Sequence, residues 1–482
     1  MYRFDDLRSF IETCVKIDSV KMIEGCDWNL EIGAITEISA RKEENPVLLF
    51  DRIKGYPPGY RVVTNLYSTE RRQALALGLP LEERRLGLVK AWRAKARQLK
   101  PVEPKEVSDG PVLENRMKGD AVNVLRIPAP LWHEDDGGRY IGTGCVVVTK
   151  DPDQGWVNLG VYRVQVHGKD RVGFFPAPGH HAHIMAQKYW QKGRNCPVAV
   201  ICGQDPYVYA AACTALQWGE SEYMYAGAIK GEPVEVLIDD LYGLPIPKSA
   251  EIVLLGEVPP PSEETAPEGP FGEFTGYYTD CSPKPVMKVM TILHRNDPIL
   301  QGNPPLKPPA IGHSLGSHIT TSAEIWNALD KEIPGVVGVW SMPEASASRA
   351  VITVVAINQQ YPGHAQQAGM LAASCRAGGL INRFTIVVDE DIDPSDTSEV
   401  LWALAYRCDP ATSISTLTNC WTYPIDPILD PEKKERGDYT NSRAIILAVK
   451  PFYRRDKFPK TNKVSCALKS SILEKWGWLL ES

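Results

Sequence analysis

The stretch Glu268-Gly-Pro-Phe-Gly-Glu273, continuing as Phe274-Thr275-Gly276-Tyr277, sets two carboxylates five residues apart. Gly269, Pro270 and Gly272 exclude a helix interior and a regular central strand. What remains is a rigid loop whose backbone approaches a ligand closely while it aims both acids. Two carboxyl groups in unequal surroundings divide acid work from base work. By themselves the same residues also describe a surface turn with two solvated glutamates, so the rest of the chain decides.

With 482 residues the chain exceeds one ordinary core, and two or three domains are expected. A net charge of −6 argues against a nucleic-acid or anionic-membrane partner, and no apolar run reaches spanning length. Met1-Tyr-Arg-Phe-Asp-Asp6 lacks the form of a secretory signal. Eleven scattered cysteines without a Cys-x-x-Cys pair argue against a disulfide framework or zinc ribbon, so free thiols in a cytoplasmic protein are expected. Neither a P-loop nor a dinucleotide-binding glycine fingerprint is present.

Residues 4–16 read as a helix with Leu7, Phe10, Ile11 and Val15 on one face, and 69–78 and 82–100 as two more. Arg84, Arg85, Lys90, Arg93, Lys95 and Arg97 on the last of these read as a solvated face rather than a phosphate patch. The middle third is strand-rich, with helices over 181–191 and 207–217, which fits a barrel or sandwich with helices laid over it. From residue 318 helices and strands alternate, the mark of an α/β layer with its own core. The C-terminal run Ile472 to Leu480, with Trp476 and Trp478, reads as an amphipathic helix that buries against a partner subunit.

Three further stretches carry groups suited to a cofactor site: Asn158-Leu-Gly-Val-Tyr-Arg163, Pro178-Gly-His180-His181-Ala-His183 and Ser221-Glu222. An Asn, a His and a Glu suit a hard or borderline divalent ion, Mn²⁺ or Mg²⁺. His180 also reads as a satisfied structural histidine, and His181 and His183 as exposed imidazoles at a helix N-terminus. Asn158 and Arg163 fall on opposite faces of a regular strand, so a bulge or bend at Gly160 is expected.

Together these stretches resemble the UbiD family of decarboxylases, which use prenylated flavin mononucleotide. The resemblance covers essentially the whole chain, from Leu30-Glu-Ile-Gly-Ala-Ile35 through His133-Glu-Asp-Asp-Gly-Gly-Arg-Tyr140 onward. Asn158 to Arg171 and Glu268 to Tyr277 look most like the hydroxybenzoate (phenolic acid) branch. The resemblance implies an α/β (α+β) chain. An N-terminal α/β domain (1–115) precedes a central split β-barrel flavin-binding domain (116–310). A C-terminal α/β domain (318–450) and a tail helix for oligomerisation (451–482) follow, with hinges near 305–318 and 450–460.

By the same resemblance Asn158, His180 and Glu222 hold Mn²⁺ (or Mg²⁺) on the cofactor phosphate, with K⁺ nearby on Glu222 and backbone carbonyls. Arg163, Glu268 and Glu273 match the catalytic Arg-Glu-Glu network, Glu273 donating the proton and Glu268 tuning it. Val161, Tyr162, Arg163 and Gly179 line the cofactor, with Arg376 as the basic residue from the C-terminal domain. Gly179 stands where the family often has glutamine. In the family the flavin forms a covalent adduct with an aromatic acid and releases carbon dioxide reversibly. Tyr423, Ile425 and Asp426 are expected to wall the substrate opposite Gly312 to Ser317, with Asp426 free for a ring hydroxyl. The competing expectations are a furoate- or pyrrole-type heteroaromatic acid and a non-catalytic subunit that kept the fold. A UbiX-type flavin prenyltransferase as cofactor supplier and a homodimer or homohexamer are also implied.

Overall fold

The structure, a computed structural model, describes residues 2–42, 44–310, 315, 317–346 and 348–479. Most of the segment expected to face Tyr423 across the substrate, 312–317, lies outside the described residues. The chain is a mixed α/β protein with several sheets and a C-terminal helix. No helix among the described residues is long and apolar enough to cross a membrane.

The first helix, Leu7–Ile17, starts where the Asp6 carboxylate accepts from the Ser9 amide at 2.8 Å, a capping box. It buries Leu7, Phe10 and Ile11 as expected, but Cys14 and Ile17 complete the face and Val15 is 61% exposed. Beyond it a four-stranded sheet pairs Val20–Glu24 with Val47–Asp51, Val47–Asp51 with Arg61–Thr64, and Arg61–Thr64 with Ile299–Gln301. The fourth strand of this N-terminal sheet thus comes from the far end of the middle third.

The expected helix over 82–100 is shorter, Leu86–Ala96; Arg84, Arg85, Lys90 and Arg97 are exposed, as a solvated face requires, but Arg93 and Lys95 are not. Arg93 is buried: its guanidinium lies 4.0 Å from the Trp326 ring, bonds Asn327 and pairs with Asp330. Lys95 donates to the Leu77 carbonyl at 2.7 Å, capping the preceding helix. Arg93 and Lys95 thus serve contacts within the chain.

The central sheet has eight strands, with Ser282–His294 as its 13-residue spine. Ile252–Val258, Cys196–Cys202, Cys145–Lys150 and Val157–Gly160 follow in antiparallel order on one side, Arg171–Gly173 lies on the other, and Thr265–Glu268 and Asn115–Lys118 add to the spine. It is an open path of strands, and no closed barrel forms among the described residues. The helices His181–Gln191, Pro206–Cys213 and Glu222–Lys230 pack over it. The second of these stops at Cys213, short of the expected 217.

The C-terminal sheet orders Val336–Ser341, Ile352–Ile357, Phe384–Asp389, Thr440–Ala448 and Ile414–Trp421, the middle three parallel. Its hydrophobic strands are covered by the helices Ser317–Leu329, His364–Ser374 and Thr397–Arg407. The tail forms the helix Cys466–Trp476 and one short turn, with Leu468, Ile472, Trp476 and Trp478 exposed.

Candidate active site

Glu268 is the last residue of Thr265–Glu268, a short strand paired to the spine, so one of the two acids is fixed by a sheet. The chain then turns through Gly269, whose φ of +87° suits glycine, and returns along 277–279. The Glu273 amide donates to the Tyr277 carbonyl at 3.0 Å and the Thr279 amide to Phe271 at 3.0 Å, closing a tight hairpin. Both carboxylates therefore sit on a braced element.

The break expected between Asn158 and Arg163 is present, but not as a bulge. The strand ends at Gly160, and the chain crosses to a separate two-stranded pairing, Val164–Gln165 with Tyr140–Gly142. The Tyr162 ring folds back over Gly160, where a Cβ would lie 2.3 Å from its hydroxyl. That fold-back, rather than an extra residue in the ladder, turns Arg163 toward the hairpin.

Arg163 is the hub. Its Nε and Nη2 donate to the two oxygens of Glu268 at 2.7 and 2.6 Å, its Nη1 to Glu273 at 2.8 Å, and Nη2 also to Thr279 at 3.0 Å. Arg163 and Glu268 side chains are 9% and 2% exposed, and Glu273 is 21% exposed. The Tyr140 hydroxyl lies 3.1 Å from Glu268 and 3.2 Å from the side-chain carbonyl of Gln165. Phe271 stacks on Tyr140 at 3.7 Å and, with Phe175, lines the guanidinium. Burial pushes the Glu273 carboxyl up while Arg163 pulls it down, and the net direction is up. Burial works against the Arg163 charge, but its two glutamates outweigh that and raise it.

The second cluster lies where helices His181–Gln191 and Glu222–Lys230 begin. Ser221 caps the latter, and the Leu159 amide donates to Glu222 at 3.0 Å. Glu222 is 2% exposed, forms no ion pair among the described residues, and burial pushes it up to about 7. Asn158 Oδ1 lies 3.2 Å from Nδ1 of His181, and the Tyr162 phenol bonds Asn158 and the Ala182 amide. His180 caps its helix and lies 2.9 Å from the Tyr423 hydroxyl through Nε2; burial, then the charge of Arg349, pushes it down to about 4. His180 is therefore neutral at pH 7, as a metal-ligating imidazole must be. The helix N-terminus expected for this run is present, but its imidazoles are not free in solvent: His181 is wedged between Trp156 and Trp218 at 5.1 and 5.3 Å, and His183 is half-buried.

Gly179 has a φ of +89°, a conformation in which a side chain is strained, which accounts for glycine there. Val161 packs against the core and Ile425 is half-buried. Arg376 donates to the carbonyls of Ala215 and Leu216 at 3.2 Å, bridging the C-terminal layer to the loop after Pro206–Cys213. Asp426 is not available for a ring hydroxyl. Its Oδ2 accepts from Arg383, Thr422 and Asn441 at 2.6, 2.9 and 2.7 Å, and Oδ1 from the Ile428 amide at 3.2 Å. Four donors converge on one buried carboxylate, which pins its own loop.

Tyr140, Gln165 and Thr279 join the Arg163 network, and the charge of Arg349 acts on both His180 and Tyr423, without a spacing that marks them in the sequence. Tyr140 ends the stretch His133 to Tyr140, whose family likeness was the one available signal.

Models of the 3-octaprenyl-4-hydroxybenzoate carboxy-lyase N-terminal, Rift-related and C-terminal domains match residues 18–92, 105–308 and 314–448. The chain is 33% identical over 460 residues to a pyrrole-2-carboxylic acid decarboxylase of Pseudomonas aeruginosa, covering 92% of this chain and 91% of that protein. It is 32% identical over 440 residues to a phenolic acid decarboxylase of Bacillus subtilis, covering 89% and 90%. The vanillic acid decarboxylase of Sedimentibacter hydroxybenzoicus in open form superposes with a TM-score of 0.84 at 28% identity over all of both chains. The UbiD-class enzyme HmfF of Pelotomaculum thermopropionicum, in complex with FMN, gives 0.84 at 27% identity over 98% and 100%. The chain belongs to the UbiD family. Within that family it is a carboxy-lyase.

Proposed function

We propose that the protein catalyses reversible, non-oxidative decarboxylation of an aromatic carboxylic acid, of phenolic hydroxybenzoate type, with prenylated FMN as cofactor. The observation that carries this reading is the convergence of Arg163, Glu268 and Glu273 into one hydrogen-bonded set beside the His180–Tyr423 contact. An evolved dimeric HmfF has been solved with prFMN, which supports the cofactor.

The donor set fits the cofactor's cations. Glu222 is a buried carboxylate with no cationic partner among the described residues, tied to the Leu159 amide next to Asn158, and His180 is a neutral imidazole at the start of the neighbouring helix. Asn158, His180 and Glu222 would hold Mn²⁺ on the flavin phosphate, and Glu222 would share K⁺ with backbone carbonyls. Val161, Tyr162, Gly179 and Arg376 would line the flavin, with Arg349 as a second cation from the C-terminal layer. When bound, the prenylated flavin supplies the electron sink that an in-plane aryl carbanion lacks. Arg163 orients the substrate carboxylate by charge-assisted hydrogen bonds. Glu273, whose carboxyl burial pushes up, which favours its acid form, delivers its proton to the ring carbon that loses carbon dioxide. Glu268, clamped by Arg163 and Tyr140, holds the guanidinium in place. Tyr423 and Ile425 wall the ring.

A heteroaromatic acid is the second reading. The similarity to a pyrrole-2-carboxylic acid decarboxylase favours it, as does the engagement of Asp426, which removes the expected partner of a ring hydroxyl. We further propose a domain division at 1–115, 116–310, 318–450 and 451–482, with closure of the third over the cofactor and assembly through the exposed tail tryptophans into a dimer or hexamer. Co-production with a UbiX-type flavin prenyltransferase tests the core reading. Released prenylated FMN, and carbon dioxide from one member of a panel of phenolic and heteroaromatic acids, are expected. Protein that binds no flavin with Mn²⁺ and K⁺ supplied returns the chain to a non-catalytic subunit.

A further inference from the structure

The Arg163 network has two sides. Glu273 faces the Tyr423 loop, on whose phenol its charge acts, whereas Glu268 lies behind it against Tyr140. Behind Tyr140 runs the loop 132–139, and Gly137 docks it onto the glutamate hairpin. The Gly137 amide donates to the Pro270 carbonyl at 2.7 Å, and its carbonyl accepts from Gln165 at 2.9 Å. A Cβ at Gly137 would lie 1.9 Å from the Gly269 carbonyl oxygen, so only glycine permits this approach.

Asp136, the residue before, is thereby held against the network. Its side chain is 0% exposed. Its Oδ2 accepts from the His133 amide at 2.9 Å, and its buried Oδ1 has no partner. The charged and titratable groups that face it are His133, Arg163, Tyr140 and Tyr278. The proposed mechanism leaves this acid without a task. His133 continues the row outward: its Nδ1 lies 4.0 Å from Asp136 Oδ2 and its Nε2 3.2 Å from Glu37 Oε2. Glu37 is 31% exposed, and its other oxygen pairs with Arg41. A half-exposed carboxylate, an imidazole and a buried carboxyl thus run from solvent to the back of the catalytic loop. Imidazole accepts a proton on one nitrogen and releases one from the other.

We propose that Glu37, His133 and Asp136 form a proton-entry row that recharges the Arg163–Glu268–Glu273 network in each turnover. The inference rests on the decarboxylase reading. Replacing a carboxylate by hydrogen consumes one proton and releases one carbon dioxide, so Ar–COO⁻ and H⁺ give Ar–H and CO₂, and the proton Glu273 gives up must return from solvent. It enters at His133 Nε2 beside Glu37 and leaves from Nδ1 to Asp136 Oδ2, through a short approach or one bridging water. From Asp136 it passes through one bridging water to the Tyr140–Glu268 pair, on which the Asp136 charge acts, and Arg163 gives a guanidinium proton to Glu273 as it takes one from Glu268, ending with its own charge unchanged. Burial pushes Asp136 up to about 6, so it gains and loses a proton near neutrality.

Two isotope exchanges on the flavin-loaded enzyme test the row. Labelled bicarbonate entering the substrate reports breaking and remaking of the carbon–carbon bond, whereas deuterium entering the product from heavy water reports proton supply. In Asp136→Asn and His133→Gln, deuterium entry is expected to fall by about tenfold or more while carbon exchange stays within about twofold. Free imidazole is expected to restore deuterium entry to His133→Gly, which carries the test if Asp136→Asn does not fold. In flavin-free protein, carboxyl NMR should show Asp136 titrating higher once His133 is replaced, because the imidazole lowers it. Equal loss of both exchanges, undiminished deuterium entry, no imidazole rescue or an unmoved Asp136 titration overturns the row. A parent enzyme that performs neither exchange overturns the decarboxylase reading instead.

Discussion

The Arg163 guanidinium grips both oxygens of Glu268, at 2.7 and 2.6 Å, with two of its nitrogens and spends the third on Glu273. One planar cation thereby fixes two carboxylates in one geometry, which a lysine ammonium cannot copy. Arg163→Lys keeps the charge and loses the fork. Carbon dioxide release from the variant is expected to fall by about 100-fold or more, with circular dichroism unchanged. A loss within about twofold would show that charge alone suffices.

Burial outweighs Arg163 at Glu273 and pushes its carboxyl up from the ordinary value. With its acid form as the proposed donor, the rate should decline as pH rises through its raised pKa. Weakening the opposing cation in Arg163→Lys should move that limb to higher pH. Glu273→Gln should abolish turnover and retain flavin in a spectrum taken after gel filtration. Loss of flavin from that variant would remove Glu273 from the role of donor.

Glu222 gives a second pH signature, in the apoprotein. Its folded value of about 7 lies above the ordinary 4.5, so its contribution is intact below about pH 4.5 and is lost as pH rises toward and through 7. The full difference amounts to about 3 kcal/mol. Mn²⁺ pairs with the ionised form, so the rise in melting temperature on adding Mn²⁺ should be larger at pH 8 than at pH 6. Glu222→Gln should remove both the rise and its pH dependence. An equal Mn²⁺ effect at both pH values would count against Glu222 as a ligand.

Asp426 separates substrate recognition from loop architecture. Removing one member of a buried ion pair costs about 3–5 kcal/mol, and Asp426 meets Arg383 with 1% of its side chain exposed. Asp426→Ala should therefore lower the melting temperature sharply and leave the order of preference among substrates unchanged. A variant of parental stability with an altered preference would restore Asp426 to the substrate wall.

The residues whose meeting was legible in the sequence were those whose type and spacing suit the proposed chemistry. Arg163, Glu268 and Glu273 meet as their motifs imply, and Glu222 and His180 stand at helix starts where Ser221 and the Pro178-Gly179 turn place them. Partnerships across the fold were not legible. Asp426 looked free because Arg383 and Asn441 lie 43 and 15 residues away along the chain. Tyr140 and Gln165 reach Glu268 and Gly269 from strands more than 100 residues earlier. Gly160, read as a bulge or bend, is where the strand ends and the chain changes sheet; both leave the same glycine in the sequence, and only the returning Tyr162 ring tells them apart. On the basic helix the departure is confined to Arg93 and Lys95, for a related reason at Arg93: Asp330 and Trp326, which engage it, lie in the C-terminal layer.

The pairing of Ile299–Gln301 with Arg61–Thr64 imposes an order of events at birth. The first three strands of that sheet leave the ribosome with one edge unmade, and the strand that covers it follows more than 200 residues later. At about 5–20 residues per second, the nascent edge waits on the order of 10–50 s for its neighbour. Through that interval an unpaired strand carrying Val62 and Val63 is open to other chains. Translation speed and chaperone supply, rather than final stability, would then govern how much of this protein a cell recovers in native form.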